Sequence, residues 1–314
     1  MKIVLVGPGF MPIPSTGWGA VENLIWDIRC ELLKLGHEVH IINTPNRNEI
    51  VFIANQLNPD FIHVQYDDYA DCAPYFNCKN VAVTNHYAYL TQVSRWGPEY
   101  HRIFNSAGRS TAKIFALSEK IAKVYIDAGT DPSRVKVVPN GVNVQAFRFL
   151  ENPESRKSAY LAKIEPRKRQ YLTTNLEQVY YYGRIAPGYE SFSTHKNYCG
   201  EWSRSQLHEQ LTNHANLVLL SDGEAHPLVC MEALAAGLGL VISEHCTANL
   251  DTSKEFITVI PESKIQDLEL LRTSIQENAE ISLGMRESIR SYALTFDWEK
   301  QVSKNYINHI NPGV

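Results

Sequence analysis

Ser221-Asp-Gly-Glu-Ala-His-Pro-Leu-Val-Cys-Met-Glu-Ala-Leu-Ala-Ala-Gly237 is the stretch on which the reading of this 314-residue chain turns. It follows Leu217–Leu220, a short apolar run of the kind that forms a buried parallel strand, and it runs on into a helix over Leu228–Ala236. Strand, loop and helix in that order make one unit of an α/β sheet, and such sheets bind ligands beyond the carboxyl ends of their strands. A helix starting near Pro227 places the amides of Leu228 and Val229 in its first turn, where they lack intrahelical partners and the helix dipole adds positive potential. That suits a phosphate or a sugar hydroxyl. Glu224 in the loop and Glu232 on the second helical turn, seven residues between them, can both point toward the strand ends. Spacing alone fits an acidic loop ahead of a core helix equally well.

Working outward, the same rhythm recurs. Strands are predicted at Lys2–Val6, Glu38–Asn43, Phe61–Gln65, Val81–Thr84, Lys113–Ser118 and Val135–Val138, with helical segments between them. The first helix is marked by Val21, Leu24, Ile25, Ile28 and Leu32 at spacings of three and four, and Gly36 stops it. The pattern restarts with strands at Ala159–Lys163, Val179–Gly183, Leu217–Leu220 and Leu240–Ser243. Helices are predicted over Ser203–Leu211, Leu228–Ala236, Ile265–Asn278, Met285–Leu294 and Trp298–Ile310. The polar stretch Phe147–Arg156, with Pro153, separates the two runs. The expectation is two doubly wound α/β domains, 1–148 and 149–297.

Composition narrows the class. Hydrophobic residues make up 44% and charged residues 20%, enough for a sizeable core and too apolar for a disordered chain. The formal net charge of −4 argues against nucleic acid as the main ligand and gives no sign of a charge-driven membrane contact. None of the six cysteines lies in a Cys-x-x-Cys pair, so they read as reduced and buried. The apolar run at Lys2–Val6 is too short for a signal peptide or a spanning helix, which leads to the expectation of a cytoplasmic protein.

Four segments, in order, resemble the retaining GT-B glycosyltransferases of the family-4 type, also called glycosyltransferase group 1. Ser221–Gly237 resembles their Glu-x7-Glu signature. Gly17-Trp-Gly-Ala-Val-Glu22, followed by Leu35-Gly-His-Glu-Val-His40, resembles the glycine loop and first helix. Val138-Pro-Asn-Gly-Val-Asn-Val-Gln-Ala-Phe147 resembles the Pro-Asn-Gly-Val-Asp…Phe turn before the linker. Tyr160-Leu-Ala-Lys-Ile-Glu-Pro-Arg-Lys-Arg169 resembles the phosphate-binding Gly-Arg…Lys-Gly strand and turn. Together they span nearly the whole chain.

The resemblance implies a GT-B fold, two Rossmann-like domains facing a central cleft, with the donor bound mainly by the second domain and the acceptor by the first. The last helix, 298–314, would pack back on the first domain. The implied enzyme is a metal-independent glycosyltransferase of the hexosyltransferase kind, moving a sugar from a nucleotide diphosphate sugar to a carbohydrate-type acceptor hydroxyl with retention. It uses the nucleotide sugar as substrate and no cofactor. When the glycosidic bond breaks, charge develops on the β-phosphate, so fixed cations and amides are required there. Lys163 and Lys168 fall at the family's Arg and Lys. Lysine at 163 keeps the charge and loses the bidentate fork, and Ala162 replaces a glycine. Gly17 and Gly19 would let backbone approach the diphosphate. Glu232 corresponds to the glutamate that accepts hydrogen bonds from the nucleotide ribose. Glu224 corresponds to the one beside the donor sugar, with a positioning role, because retaining enzymes of this fold are viewed as using front-face attack. His86, in Val83-Thr-Asn-His-Tyr-Ala88, resembles the histidine that contacts the donor sugar near the reaction centre. His226 could reach a sugar hydroxyl, and Pro227 replaces a glycine and removes one N–H donor. Domain closure would bring these groups together.

Plain structural readings stand beside these. Lys163 and Lys168 fit a solvated basic turn with Arg167 and Arg169. A lone histidine after a strand is usually structural, and His63, inside a strand, reads as a satisfied core residue. Tyr87, Tyr89 and Trp96 could stack on a sugar ring or pack at the surface, and Trp202 reads as packing. Asp67-Asp-Tyr-Ala-Asp71 lacks the Asp-x-Asp spacing of metal-dependent transferases, and no zinc spacing or Gly-x-x-x-x-Gly-Lys-Ser/Thr loop is present. Two rival functions remain: a nucleotide-sugar epimerase of the same architecture, and a non-catalytic sugar-binding relative.

Overall fold

The computed structural model describes residues 1–17 and 19–310. Trp18, between the two glycines of the loop, and residues 311–314 of the expected last helix lie outside the described residues. The chain divides into two units. The first contains Met1–Ser15, Gly19–Asn140 and the segment from Trp298 onward; the second contains Gly141–Asp297 with Thr16 and Gly17.

In the first unit, β1 (Lys2–Val6), β2 (Glu38–Ile42), β3 (Phe61–Val64), β4 (Val81–Thr84), β5 (Lys113–Ala116) and β6 (Val135–Val137) form one parallel sheet in the order β2-β1-β3-β4-β5-β6. β3 and β4 are buried along their whole length, which is why they read as unbroken apolar runs rather than alternating ones. α1 (Ala20–Lys34) buries Leu24, Ile25, Ile28 and Leu32 on one stripe. α2 (Arg47–Leu57) starts at Asn46, whose side chain accepts from the amides of Asn48 and Glu49. α3 (Pro98–Arg109) and α4 (Glu119–Asp127) complete the layer order.

The chain returns to this unit at Trp298. Trp298, Val302, Tyr306 and Ile310 are buried, Lys113 Nζ donates to the His309 carbonyl at 2.7 Å, and Asn80 Nδ2 donates to that of Ile310 at 2.6 Å. The expected continuous helix over Trp298–Ile310 is interrupted: Gln301–Tyr306 is a π-helical turn between short α segments. A cavity of about 10 Å³, room for about one water, lies in this unit, lined by His63, Gln65, Thr84, Asn140, Trp298 and Tyr306 among others.

In the second unit, β7 (Ser158–Leu161), β8 (Val179–Tyr182), β9 (Asn216–Leu219), β10 (Gly239–Ser243) and β11 (Ile257–Ile260) form a second parallel sheet in the order β11-β10-β9-β7-β8. β11 was not predicted. It is a four-residue edge strand whose sequence, Ile-Thr-Val-Ile, is too short to stand out between polar flanks. α5 (Arg204–Gln210) opens with a capping box, Ser203 with Gln206. α6 (Leu228–Ala235), α7 (Leu268–Gly284) and α8 (Arg286–Ala293) cover the sheet. α7 begins three residues later than expected because Asp267 caps it, accepting from the Leu270 amide at 3.0 Å.

The division between units falls after Asn140, whereas the polar linker suggested a boundary after Arg148. The physical reason is burial: Val142, Val144 and Phe147 belong to the second unit's core. Arg290 binds the carbonyls of Val144 and Phe147 at 3.1 Å each. Arg286, 2% exposed, clamps the same region by donating to the carbonyls of Leu150, Thr212, His214 and Ala236. All six cysteines are unbridged. No helix among the described residues is long and apolar enough to cross a membrane.

Candidate active site

The second unit's candidate residues gather where the turn after β7 meets the loop before α6. Tyr160, buried in β7, ties the two: its hydroxyl donates to the Lys168 carbonyl and accepts from the Leu220 amide at 2.9 Å. The Asp222 amide donates to the Arg167 carbonyl at 3.0 Å. With the backbones fixed, the side chains link into one chain of charges. Lys163 Nζ lies 3.2 Å from Glu165, Arg167 bridges Glu165 at 3.1 Å and Glu224 at 3.2 Å, and Lys168 Nζ ion-pairs with Glu224 Oε1. This chain carries one more cation than carboxylate. Arg167 also donates to the Gly223 carbonyl at 2.7 Å.

Lys168 and Glu224 each keep only 13% of their side-chain surface, whereas Lys163 keeps 41%. Burial alone would push the Glu224 carboxyl up; the Lys168 ammonium and Arg167 guanidinium outweigh it and hold the carboxyl below its ordinary value. Glu224 is therefore a carboxylate at neutral pH. Arg167, assigned from sequence to a solvated turn, belongs to the cluster. What could have marked it is its spacing from Glu165, which lets one carboxylate bind two cations. Lys163 reaches the cluster only through Glu165, and Arg169 turns away to bind Glu262 at 2.9 Å.

Pro227 is the N-cap of α6 rather than its first helical residue, and its carbonyl accepts from the Cys230 amide at 3.1 Å. Leu228 and Val229 are thus the first-turn amides, directly after the Glu224 loop. Glu232 is half-buried on the second turn and His226 is buried in the loop. Trp202 stacks on Tyr182 with ring centroids 3.9 Å apart, a packing contact. Arg184, at the end of β8, is exposed.

In the first unit, the loop after β1 is pinned by Asn43, whose side chain accepts from the Gly9 amide at 2.9 Å and donates to the Met11 carbonyl at 2.8 Å. Gly17 precedes α1, and Gly19 caps it with φ +128°, where an added Cβ would lie 2.8 Å from that of Ser15. Glu22, in the first turn of α1, is buried beside Gly19, and burial pushes its carboxyl up. Sequence reading had given it no role of its own.

His86 sits in the loop after β4. Asn85 holds that loop: its Oδ1 accepts from the Tyr87 amide at 2.8 Å, and its Nδ2 donates to the Tyr125 and Tyr100 hydroxyls. His86 Nε2 meets Gln65 Oε1 at 3.1 Å, and burial pushes the imidazole down to about 4, so it is neutral. Gln65 was missed from sequence, where it ends a strand with nothing to mark it. Tyr87 stacks on Tyr100 at 3.6 Å, and Trp96 Nε1 donates to the Tyr89 carbonyl at 2.8 Å, so these aromatics pack on their own unit.

Residues 43–146 match the family model described as Glycosyltransferase Family 4. Over that stretch the chain resembles the family-4 glycosyltransferases. No curated protein matches the sequence significantly. Solved structures agree in fold. HepE from Anabaena, crystallised with UDP-glucose, superposes with a TM-score of 0.74 at 14% identity, over 97% of this chain and 98% of that one. Sucrose-phosphate synthase from Thermosynechococcus elongatus gives 0.76 at 14% identity, over 96% of each chain. WaaG, a glycosyltransferase involved in lipopolysaccharide biosynthesis, gives 0.73 at 15% identity, over 99% of this chain and 100% of that one. The fold is GT-B, each unit supplying one of its two parallel α/β sheets.

Proposed function

We propose that this chain transfers a hexosyl group from a nucleotide diphosphate sugar to a carbohydrate-type acceptor hydroxyl, with retention and without a metal ion. The observation that carries the reading is the convergence of Lys168 and Arg167 on Glu224 beside the first turn of α6. Bond cleavage loads negative charge onto the β-phosphate. Lys168 and Arg167, with the Leu228 and Val229 amides, are preorganised partners for that charge, and Lys163 adds a more exposed cation. Glu224, kept ionised by the same cations, orients the donor sugar; Glu232 accepts from the ribose, and His226 serves a sugar hydroxyl. His86 contacts the sugar, Gly17 and Gly19 the diphosphate, and loop residues of the first unit the acceptor.

The test is a panel of UDP, GDP, ADP and TDP sugars, HepE's UDP-glucose among them, incubated with chelator and candidate acceptors. Nucleoside diphosphate release that depends on acceptor, with a product of unchanged anomeric configuration, is the expected result. Conversion of the donor sugar without release would establish an epimerase. Tight nucleotide binding with neither outcome would leave a sugar-binding relative.

A further inference from the structure

Gln65 lies one residue past β3, 1% exposed, and its side-chain amide is spent on two histidines. Its Oε1 meets His86 Nε2 at 3.1 Å, and its Nε2 meets His63 Nδ1 at 3.1 Å. An amide nitrogen only donates and an amide oxygen only accepts. Nδ1 of His63 is therefore the unprotonated nitrogen, and it is approached also by the Tyr306 hydroxyl at 2.8 Å. The His63 proton is on Nε2, where it is donated to Thr84 Oγ1 at 2.7 Å. Burial keeps this ring neutral, its pKa pushed down to about 3, so Nδ1 gains no proton beside the one on Nε2.

The same logic fixes the other end. The oxygen of Gln65 needs a proton from His86, so His86 carries its proton on Nε2 and its Nδ1 is a lone pair. We propose that Gln65, oriented by His63, Thr84 and Tyr306, is a positioning residue that holds His86 as its Nε2–H tautomer, so that His86 offers Nδ1 as an acceptor to a hydroxyl of the donor sugar. This rests on the reading of His86 as a donor-sugar contact. It gives His63 a second task besides filling the core, and it makes the returning C-terminal segment, through Tyr306, part of the machinery. It also sets selectivity: the sugar must present an O–H at that position, and a fluoro or methoxy group there cannot serve.

Histidine ¹⁵N shifts read the tautomer without any turnover. With uniformly labelled protein, and His86→Asn for assignment, His86 should show a protonated Nε2 and an unprotonated Nδ1. Gln65→Met should release the ring into exchange between tautomers and lower kcat about tenfold, the weight of one hydrogen bond, with nucleoside diphosphate affinity unchanged. Gln65→Glu, which still accepts from His86, should restore the Nε2–H signature and most of the lost kcat. A parent protein with His86 protonated on Nδ1, or a Gln65→Met protein with the parent signature, would overturn the proposal. Full transfer by His86→Ala would sink the underlying sugar contact alone; the tautomer measurement is independent of it.

Discussion

The Lys168 ammonium ion-pairs with the Glu224 carboxylate across 56 residues of chain, one from the turn after β7 and the other from the loop before α6. The pair is mostly buried and shares Glu224 with Arg167, so it couples the shape of both loops to the charge between them.

Removing the ammonium should therefore separate binding from folding. Lys168→Ala removes one of the two cations on Glu224 and should cost about 1.5–3 kcal/mol of stability, the range for a hydrogen bond to a charged group. Affinity for a nucleoside diphosphate should fall about 10–100-fold, while affinity for the bare nucleoside changes little. Calorimetric titration of both ligands checks this; an unchanged diphosphate Kd removes Lys168 from the donor site.

Glu232 should show the opposite preference. If it accepts from the ribose, Glu232→Ala weakens nucleoside and nucleoside diphosphate alike, by about 10–100-fold. A variant binding nucleotide as tightly as the parent would falsify its assignment.

The pH dependence of stability follows from rings kept neutral by burial. His63 is pushed down to about 3 and His214 to about 4, each from 6.5 when unfolded. Below pH 6.5 the unfolded chain binds these protons and the folded chain does not, so each ring withdraws about 1.4 kcal/mol per pH unit down to its folded value. Asp67 opposes them: burial pushes it up to about 7 from 3.8, so the folded chain holds its proton first and gains stability as pH falls. Two rings against one carboxyl leave a net loss, to which His86 adds. Denaturant unfolding should give a lower free energy at pH 5 than at pH 7, and equal values would contradict the burial of these rings.

Gly19 combines φ +128° with a Cβ position 2.8 Å from Ser15 Cβ. Gly19→Ala should destabilise the protein by about 1–3 kcal/mol and weaken diphosphate binding by displacing the loop at the start of α1. Thermal denaturation with and without nucleoside diphosphate measures both effects; an unchanged midpoint would mean that the loop rearranges freely.

The alternation of strand and helix was legible throughout because it is local. Lys2–Val6 and Val81–Thr84 are apolar runs bounded by turns, and α1 shows its stripe within a dozen residues. Glu224, Glu232 and Lys168 could be picked out because an ordered set of motifs carries them. β11 was not legible because four residues carry too little periodicity, and the boundary was misplaced because the burial of Val142, Val144 and Phe147 depends on what packs over them.

Side-chain partnership across the fold was beyond reach in the same way. Nothing near Arg167 predicts that Glu224 will meet it, and nothing near Gln65 predicts that His86 will. His63 and Tyr306 stand 243 residues apart and touch because the chain leaves the first unit at Asn140 and returns at Trp298. Local sequence suffices for elements because backbone hydrogen bonding and apolar periodicity act over a few residues. Which nitrogen of His86 bears its proton is settled by a chain of contacts that exists only once the sheet and the returning segment have packed.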